Sequence, residues 1–152
     1  MQVWEVAKVI KQDLVKTLAH GDTIEVWGTY SSNCTSRFSL NILDENDGFL
    51  LHVDFRPSDN VVAINSKLDR STQSWNMSTG IRCAFPAFVD GEEFKITVEC
   101  GEDHYIIYFN DVPLEKTFPY REAISTGKKI FTQKMIGMHL HGNKPKQPCV
   151  HV

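Results

Sequence analysis

The 152-residue chain lacks the features that mark several large classes of protein. No apolar run is long enough to cross a bilayer as a helix, and charged residues interrupt the N-terminal stretch where a signal-peptide core would lie. Sixteen Lys and Arg residues against nineteen Asp and Glu residues give a formal net charge of -3. This balance gives no electrostatic reason for a nucleic-acid partner, and we expect neither nucleic-acid binding nor membrane insertion.

The cysteines show no CxxC pair and no close spacing, which is unlike a disulfide framework or a zinc site. They are Cys34, Cys83, Cys100 and Cys149. We predict four reduced thiols in a reducing compartment. A metal site could use His139 and His141, but their imidazoles would point to opposite faces of a strand. We predict no metal ligands and no cofactor.

Little of the chain has helical periodicity, and alternation with period two dominates instead. In residues 49–56 one face is predicted to carry Phe49, Leu51, Val53 and Phe55, and the other Leu50, His52, Asp54 and Arg56. Further strands are predicted at 23–30, 37–43, 60–66, 93–100, 104–110, 112–118 and 130–140. Short strands separated by turn residues, without helices between them, predict an antiparallel sandwich or barrel.

The two ends of the chain differ from this pattern. Residues 1–16 have roughly helical apolar spacing, but the all-β surroundings favour extended chain with at most one helical turn. The last ten residues carry two prolines and two lysines after the final apolar strand. We predict one domain over residues 1–142 with an N-terminal extension, and a mobile or loosely docked tail over residues 143–152.

The outward face of strand 49–56 carries an unusual set of polar side chains. His52, Asp54 and Arg56 stand in a row, each ~6.6–6.8 Å from the next along the strand. A sugar ring can lie across such a row, because Arg56 donates to ring and hydroxyl oxygens while His52 and Asp54 share the proton of an axial hydroxyl. The alternative is a solvated face with an incidental Asp–Arg pair.

Trp75 lies in a polar stretch, residues 71–76 (STQSWN), without apolar neighbours in the sequence. An exposed Trp in a polar loop is typical of a flat platform for a ligand, and the C–H face of a pyranose suits an indole. The alternative is an indole that folds back onto the core.

Five segments resemble galectins, in the same order and over roughly residues 15 to 142. They are residues 51–57 (LHVDFRP), similar to H-x-N-x-R; 61–66 (VVAINS), similar to V-V-x-N-S; Trp75, at the stacking Trp; 85–94 (FPAFVDGEEF), similar to F-P-F and G-x-x-F; and 109–121, similar to V-N and F-x-H-R. The resemblance implies an all-β, antiparallel two-sheet β-sandwich of the jelly-roll type found in galectins and legume lectins. It also implies a carbohydrate-binding lectin that catalyses nothing.

The resemblance implies a role for each matched residue. His52 and Arg56 would hold the O4 hydroxyl of a galactose, and Asn65 would hold O6. Trp75 would stack on the apolar face of the same sugar, and Arg56 would also reach toward a second sugar. The axial O4 pointing into the polar row would favour galactose over glucose.

The sequence departs from the galectin pattern at Asp54, where the family usually has Asn. A carboxylate can accept a hydroxyl proton but cannot donate one. Its charge is expected to favour protonated His52, which would weaken His52 as an acceptor.

A second departure lies in the W-G-x-E-x-R element, because Ser78 stands where the family has Glu. Without that Glu, Arg56 loses a partner, and Asp69 or Glu92 are candidates to replace it. Arg82 is the candidate for the family's later Arg, at a longer spacing from Trp75. The loop from Asn65 to Trp75 is also longer than in most galectins.

We therefore expect a lectin that recognises β-galactosides through a shallow groove on one sheet, with galactose-containing glycans or glycoproteins as partners. Weak single sites and exposed sheet edges predict a homodimer or larger assembly. The resemblance also implies a cytoplasmic protein that can leave the cell without a signal peptide. Two alternatives stay open. One is a galectin-like protein with altered or lost sugar binding that acts through protein contacts, and the other is a glycoside hydrolase using Asp54 with Glu93 or Glu99.

Overall fold

The computed structural model describes residues 2–5, 10–30, 37–56, 59–68, 75–84, 92–135, 140–141, 144–145 and 150–151. Over these residues the protein consists of strands, turns and two short 3₁₀ turns, at Met77–Thr79 and Ile124–Thr126. No helix in the described ranges has the length and hydropathy needed to cross a membrane. The predicted all-β, two-sheet sandwich is confirmed.

Among the described residues, one sheet has six strands and the other has seven. The six-stranded sheet contains, in spatial order, β2 (Ile10–Asp13), β12 (Lys129–Met135), β4 (Arg37–Leu43), β5 (Phe49–Arg56), β6 (Val61–Lys67) and β7 (Ile81–Ala84). The seven-stranded sheet contains β1 (Gln2–Glu5), β3 (Thr23–Tyr30), β8 (Glu93–Cys100), β9 (His104–Phe109) and β10 (Val112–Pro113), with β11 (Phe118–Pro119) also on β9 and β15 (Val150–His151) also on β3. A small hairpin pairs β13 (Leu140–His141) with β14 (Lys144–Pro145).

The strand pairs are antiparallel except for β1 and β3, which run parallel. In β8 and β9, buried and less buried residues alternate without interruption. Apolar residues on the inward side of β3 to β9, β11 and β12 therefore form one core between the two sheets. This period-two burial is why the alternation in the sequence predicted the strands.

Four phenylalanines connect the two sheets through this core. Phe38 and Phe55 are cross-strand partners on β4 and β5, and their rings stack with centroids 4.7 Å apart. Phe38 also lies 5.7 Å from Phe94 on β8, which lies 5.9 Å from Phe109 on β9. The rings contribute large buried area and favourable ring-to-ring geometry across the inter-sheet space. They fix the six-stranded sheet against the seven-stranded sheet.

A β-bulge interrupts the pairing of β4 with β5. Ile42 pairs with Leu51, but the next pair is Leu43 with Phe49, so β5 has one extra residue at Leu50. Leu50 is 1% exposed and belongs to the core, while Phe49 packs against residues on the outer face. The prediction that Phe49 shares a face with Leu51 is therefore wrong, because the extra residue reverses the alternation on one side of the bulge.

The predicted strand boundaries hold to within one residue for the predictions at 23–30, 37–43, 49–56, 60–66, 93–100 and 104–110. The single strand predicted at 112–118 is wrong. The chain forms two separate pairs, β10 and β11, on the same strand β9. Asn110 and Asp111 have positive φ values of 49° and 68°, which is the geometry of a two-residue hairpin turn between β9 and β10.

The N-terminal region is extended where it is described, in β1 and β2, as expected. β12 covers the first part of the strand predicted at 130–140, and residues 136–139 lie outside the described ranges. Strand β7 was not predicted, because the sequence IRCA is short and half polar. The tail predicted at 143–152 is described only at β14 and β15, and its boundary stays a prediction.

Cys83 and Cys100 are buried free thiols. Burial raises the pKa of Cys100 to about 11, so this thiol is unreactive at neutral pH. Cys34 and Cys149 lie outside the described ranges.

We expect Phe38→Ala to lower the free energy of unfolding by ~3–5 kcal/mol, because it removes a stacked ring from a well-packed core and leaves a cavity. Urea unfolding followed by tryptophan fluorescence measures the change. The control is Val112→Ala, whose side chain is 65% exposed and whose loss should cost less than ~0.5 kcal/mol. If Phe38→Ala does not fold, Phe38→Leu gives the same test at smaller amplitude. Equal effects at positions 38 and 112 would contradict the role given to the four rings.

Candidate functional site

The outer face of the six-stranded sheet carries two rows of polar side chains that cross several strands. In the first row, His52 on β5 pairs with Asn41 on β4 and with Asn65 on β6. In the second row, Asp54 pairs with Ser39 on β4 and with Ala63 on β6, which in turn pairs with Arg82 on β7. Cross-strand partners share a face of the sheet, so the register places both rows on one surface.

A cavity of about 290 Å³ opens over these rows. All six residues selected from the sequence line it: His52, Asp54, Arg56, Asn65, Trp75 and Arg82. The remaining lining comes from Arg37, Ala63, Ile64, Gly80 and Ile81. The volume is at the low end of the ~300–1,000 Å³ range of small-molecule sites, which suits one or two small rings.

His52 is held by Asn41 in a single tautomer. The Asn41 side chain, 0% exposed, donates from Nδ2 to the backbone oxygen of Phe131 and to Oγ of Ser39, each at 3.0 Å. Its Oδ1 is therefore the atom that faces His52, and it accepts a hydrogen bond from Nδ1–H of His52. With the proton on Nδ1, the Nε2 atom has a free lone pair and can accept a hydroxyl proton from a ligand.

His52 is neutral at physiological pH. Its pKa is lowered from 6.5 to about 4, mainly because the ring is buried; the charge of Asp54 raises the pKa, and the charges of Arg56 and Arg37 lower it. Asp54 favours the protonated form of His52, as expected, but the loss of hydration outweighs the attraction of this one carboxylate. The expected weakening of His52 as an acceptor is therefore wrong. Nε2 of His52 is therefore unprotonated at neutral pH and can accept a hydrogen bond from a ligand.

Asp54 is a buried carboxylate shared by two guanidinium groups. It is 2% exposed, and its Oδ2 accepts a 2.8 Å hydrogen bond from Nε of Arg56. Nη1 of Arg37 lies 3.8 Å from the same oxygen. The other oxygen, Oδ1, is buried and has no hydrogen-bond partner among the described residues. Because Asp54 fixes Nε of Arg56, the terminal nitrogens of that guanidinium are the ones that can donate to a ligand.

Trp75 forms an aromatic wall together with Phe49 and His52. Its ring centroid lies 4.6 Å from His52 in a nearly parallel arrangement, at 28°, and 5.3 Å from Phe49. Nζ of Lys67 lies 5.5 Å from the centroid of the same indole. The indole is half-buried, so it is neither the isolated platform nor the core residue considered from the sequence. Phe49 is available to it because of the bulge in β5.

The position of Trp75 depends on the turn that follows it. Asn65 donates from Nδ2 to the backbone oxygen of Asn76 at 3.0 Å and accepts from Oγ1 of Thr79 at 2.8 Å. A Cβ on Gly80 would come within 3.1 Å of Nδ2 of Asn65, so a residue with a side chain would crowd this contact. The Asn65 carboxamide is therefore largely committed to the protein, and one N–H remains for a ligand.

A sequence model of the galactoside-binding lectin family matches residues 9–138. The chain belongs to the galactoside-binding lectin family, the galectins.

Solved galectin structures have the same fold. Sheep galectin-11, in a complex with glycerol, matches with a TM-score of 0.68 at 16% sequence identity, over 85% of this chain and 93% of that one. Galectin LEC-6 of Caenorhabditis elegans matches with a TM-score of 0.69 at 18% identity, over 94% of this chain and 85% of that one. No curated protein sequence matches. The family assignment makes this chain a galectin-type carbohydrate-binding domain, and galectins are lectins and not enzymes.

Ser78, which stands where the family element has Glu, does not line the cavity, although Trp75 and Arg82 do. Ser78 is exposed, and its hydroxyl donates to Oδ1 of Asn76 at 2.6 Å. Of the two acidic residues considered as replacements, Glu92 is exposed and does not line the cavity, and Asp69 lies outside the described ranges. Asp54 orients Arg56 instead, from within the strand that carries it.

Asn41 and Arg37 were missed in the sequence, although a signal for them exists. Residues 37–43 read RFSLNIL, in which Arg37, Ser39 and Asn41 alternate with apolar residues. Once β4 is known to lie beside β5, this alternation places those three residues on the same face as His52. The neighbour relationship between the two strands was the missing information.

The hydrolase alternative is not supported by the positions of its carboxylates. Asp54 lies on the outer face of the six-stranded sheet, whereas Glu93 and Glu99 alternate with core residues on β8 of the other sheet and point away from the core. The core separates them, so they cannot act on one glycosidic bond. Within the described residues no cluster of three potential metal ligands occurs, and His139 lies outside them.

We expect nitrogen-detected NMR of His52 to show a proton on Nδ1 and none on Nε2 from pH 8 down to about 5, with protonation near pH 4. The cause is burial together with the hydrogen bond to Asn41. Between the ordinary pKa of 6.5 and about 4, the unfolded chain binds a proton that the folded chain does not, so stability falls as the pH is lowered through this range.

The variant Asn41→Ala is the matched comparison, because it removes the acceptor for Nδ1–H while leaving His52 in place. Its His52 should show a mixture of tautomers. A midpoint near 6.5 in the unmodified protein would contradict the buried, neutral imidazole.

Proposed function

We propose that this galectin binds β-galactosides in the cavity over β4 to β7. The observation that supports it most is the pairing of a fixed acceptor, Nε2 of His52, with a fixed donor, the guanidinium of Arg56, beside a half-exposed indole. A sugar hydroxyl needs one acceptor for its proton and donors for its lone pairs. The two groups supply both, two residues apart on one strand.

The axial O4 hydroxyl of galactose distinguishes it from glucose in this arrangement. An axial hydroxyl projects from one face of the ring, and the same ring presents a patch of C–H groups on its other side. With O4 between His52 and Arg56, the C–H patch lies against Trp75. An equatorial O4 would point along the ring plane and leave the His52 acceptor unpaired, which costs about 1–3 kcal/mol for a buried group.

Binding at one such site is expected to be weak and reversible, because few polar contacts and one stacked ring bury little area. Several sites acting together would provide avidity. We therefore propose a homodimer, formed through terminal strands that cover exposed sheet edges.

The dimer is tested by size-exclusion chromatography with light scattering at increasing protein concentration. We expect a mass that rises from one toward two chains of 17.3 kDa. A constant monomer mass at millimolar concentration would contradict it.

A second candidate function is an interaction module that has lost ordinary sugar binding. The stacking of His52 against Trp75 favours it, because the imidazole covers part of the indole that a sugar would use. A glycan array with the purified protein separates the two functions, since absence of signal on every glycan would favour the interaction module.

We expect isothermal titration calorimetry to detect lactose and not cellobiose, two disaccharides that differ in the orientation of the terminal O4 hydroxyl. One unpaired acceptor predicts a preference of about tenfold or more. Trp75→Ala should weaken lactose binding by about fivefold or more, because ring stacking contributes on the order of 1 kcal/mol or more.

The matched control is Trp27→Ala, which removes another partly exposed indole from β3 on the opposite sheet. It should leave lactose affinity unchanged. Equal affinity for the two disaccharides, or an unchanged affinity in Trp75→Ala, would contradict the galactoside site.

A further inference from the structure

Side chains from the segment between β10 and β11 cover the outer edge of β7. Among the described residues β7 is the last strand of the six-stranded sheet, and its strand partner is β6. Oε1 of Glu115 accepts a hydrogen bond from the backbone N–H of Ala84 at 3.0 Å. Nζ of Lys116 donates to the backbone oxygen of Arg82 at 2.9 Å. These side chains satisfy backbone groups that a further strand would otherwise pair, which protects the edge.

Arg121, just after β11, extends this cover to the turn that precedes β7. Its Nη2 donates to the backbone oxygen of Thr79 at 2.8 Å. Its Cζ lies 5.1 Å from the centroid of the buried Phe118 ring, and this contact between a cation and an aromatic face orients the guanidinium. Tyr120, between the two, is anchored by a 2.6 Å hydrogen bond from its hydroxyl to the oxygen of Gly101. The exposed arginine is therefore held from the side of the seven-stranded sheet.

The group that Arg121 binds belongs to the turn that carries Trp75. The hydroxyl of Thr79 donates to Oδ1 of Asn65 at 2.8 Å and lies 2.9 Å from the backbone oxygen of Asn76, the residue after Trp75. The same oxygen accepts from the backbone N–H of Thr79 and from Nδ2 of Asn65. Because these contacts meet on one oxygen, a shift of Thr79 is passed to Asn76 and to the indole beside it.

Edge protection alone does not account for Arg121. Glu115 and Lys116 bind the backbone of β7 itself, whereas the oxygen that Arg121 binds lies in the turn before the strand. Arg121 does not line the cavity, so any effect on a ligand there has to pass through Thr79.

We propose that Arg121 is a positioning residue for the sugar site: by holding Thr79 it sets the orientation of Trp75 from outside the cavity. Its effect on affinity rests on the galactoside function proposed above, whereas the orientation of the indole can be measured without a ligand. A residue of the seven-stranded sheet thereby adjusts the aromatic wall on the six-stranded sheet.

The orientation of Trp75 is measured by ¹⁹F NMR of protein labelled with 5-fluorotryptophan. Three tryptophans give three resonances, and Trp75→Phe identifies the one from Trp75. Arg121→Met removes the donor but keeps an unbranched side chain that can lie over Phe118, and we expect it to shift or broaden the Trp75 resonance. Unchanged resonances of the other two tryptophans show that the variant is folded. Arg121→Lys, which keeps a charged donor, should restore most of the native spectrum.

Lactose affinity, measured by calorimetry, is the second readout. Arg121→Met should weaken binding about threefold or more, the size of effect of one hydrogen bond, and Arg121→Lys should recover most of the loss. Lys116→Ala is the matched control, because it removes a neighbouring contact to the same edge and leaves Thr79 bonded. It should leave the Trp75 resonance unchanged. If Arg121→Met does not fold, Arg121→Gln, whose amide ends two atoms short of Nη2, gives the same comparison.

The outcomes separate the two proposals. An unmoved Trp75 resonance in Arg121→Met, or an equal shift in Lys116→Ala, would mean that Arg121 only covers the edge, and the positioning role would be wrong even if the unmodified protein binds lactose. If the resonance moves in Arg121→Met alone but the unmodified protein does not bind lactose, Arg121 positions the indole and the galactoside function is wrong.

Discussion

The hydrogen bond between Nδ1 of His52 and Oδ1 of Asn41 determines what the cavity can recognise. A histidine offers a ligand either a donor or an acceptor, and the partner of its other nitrogen decides which. Here the orientation of the partner's amide group is itself fixed, because Asn41 donates its two N–H groups to Ser39 and to the backbone oxygen of Phe131. The choice of acceptor at His52 is thus set by three adjacent strands, β12, β4 and β5, and not by the loop beside the cavity.

Charge in the site is organised around a carboxylate that would be costly to bury alone. Asp54 is 2% exposed, and a buried charge of this kind requires cationic partners and hydrogen bonds. Arg56 and Arg37 provide them from the same face of the sheet. The carboxylate in return orients Arg56, which explains how this galectin can position that guanidinium although it lacks the Glu after Trp75. Arg56 is therefore held within its own strand.

The sequence was sufficient for the parts of the fold and site that depend on alternation. The row of His52, Asp54 and Arg56 follows from period two within one strand, and it was predicted with its strand, β5. Features that depend on neighbouring strands were not predicted. The neutral state of His52 comes from burial, and Asn41 becomes relevant only through the β4–β5 register. The bulge at Leu50 cannot be recognised from the residue types, since phenylalanine and leucine occur on either face of a strand.

That bulge separates Phe49, which packs against Trp75 and His52, from the polar residues of β5 that line the cavity. Residues after it, from His52 onward, keep the parity that places polar groups outward, while Phe49 before it takes the opposite parity and joins the wall. Substitutions on one side of Leu50 can therefore reshape the apolar surface without changing the order of donors and acceptors on the other. The fit of the site to the apolar face of a ligand and its preference for one arrangement of hydroxyl groups can therefore change independently of each other.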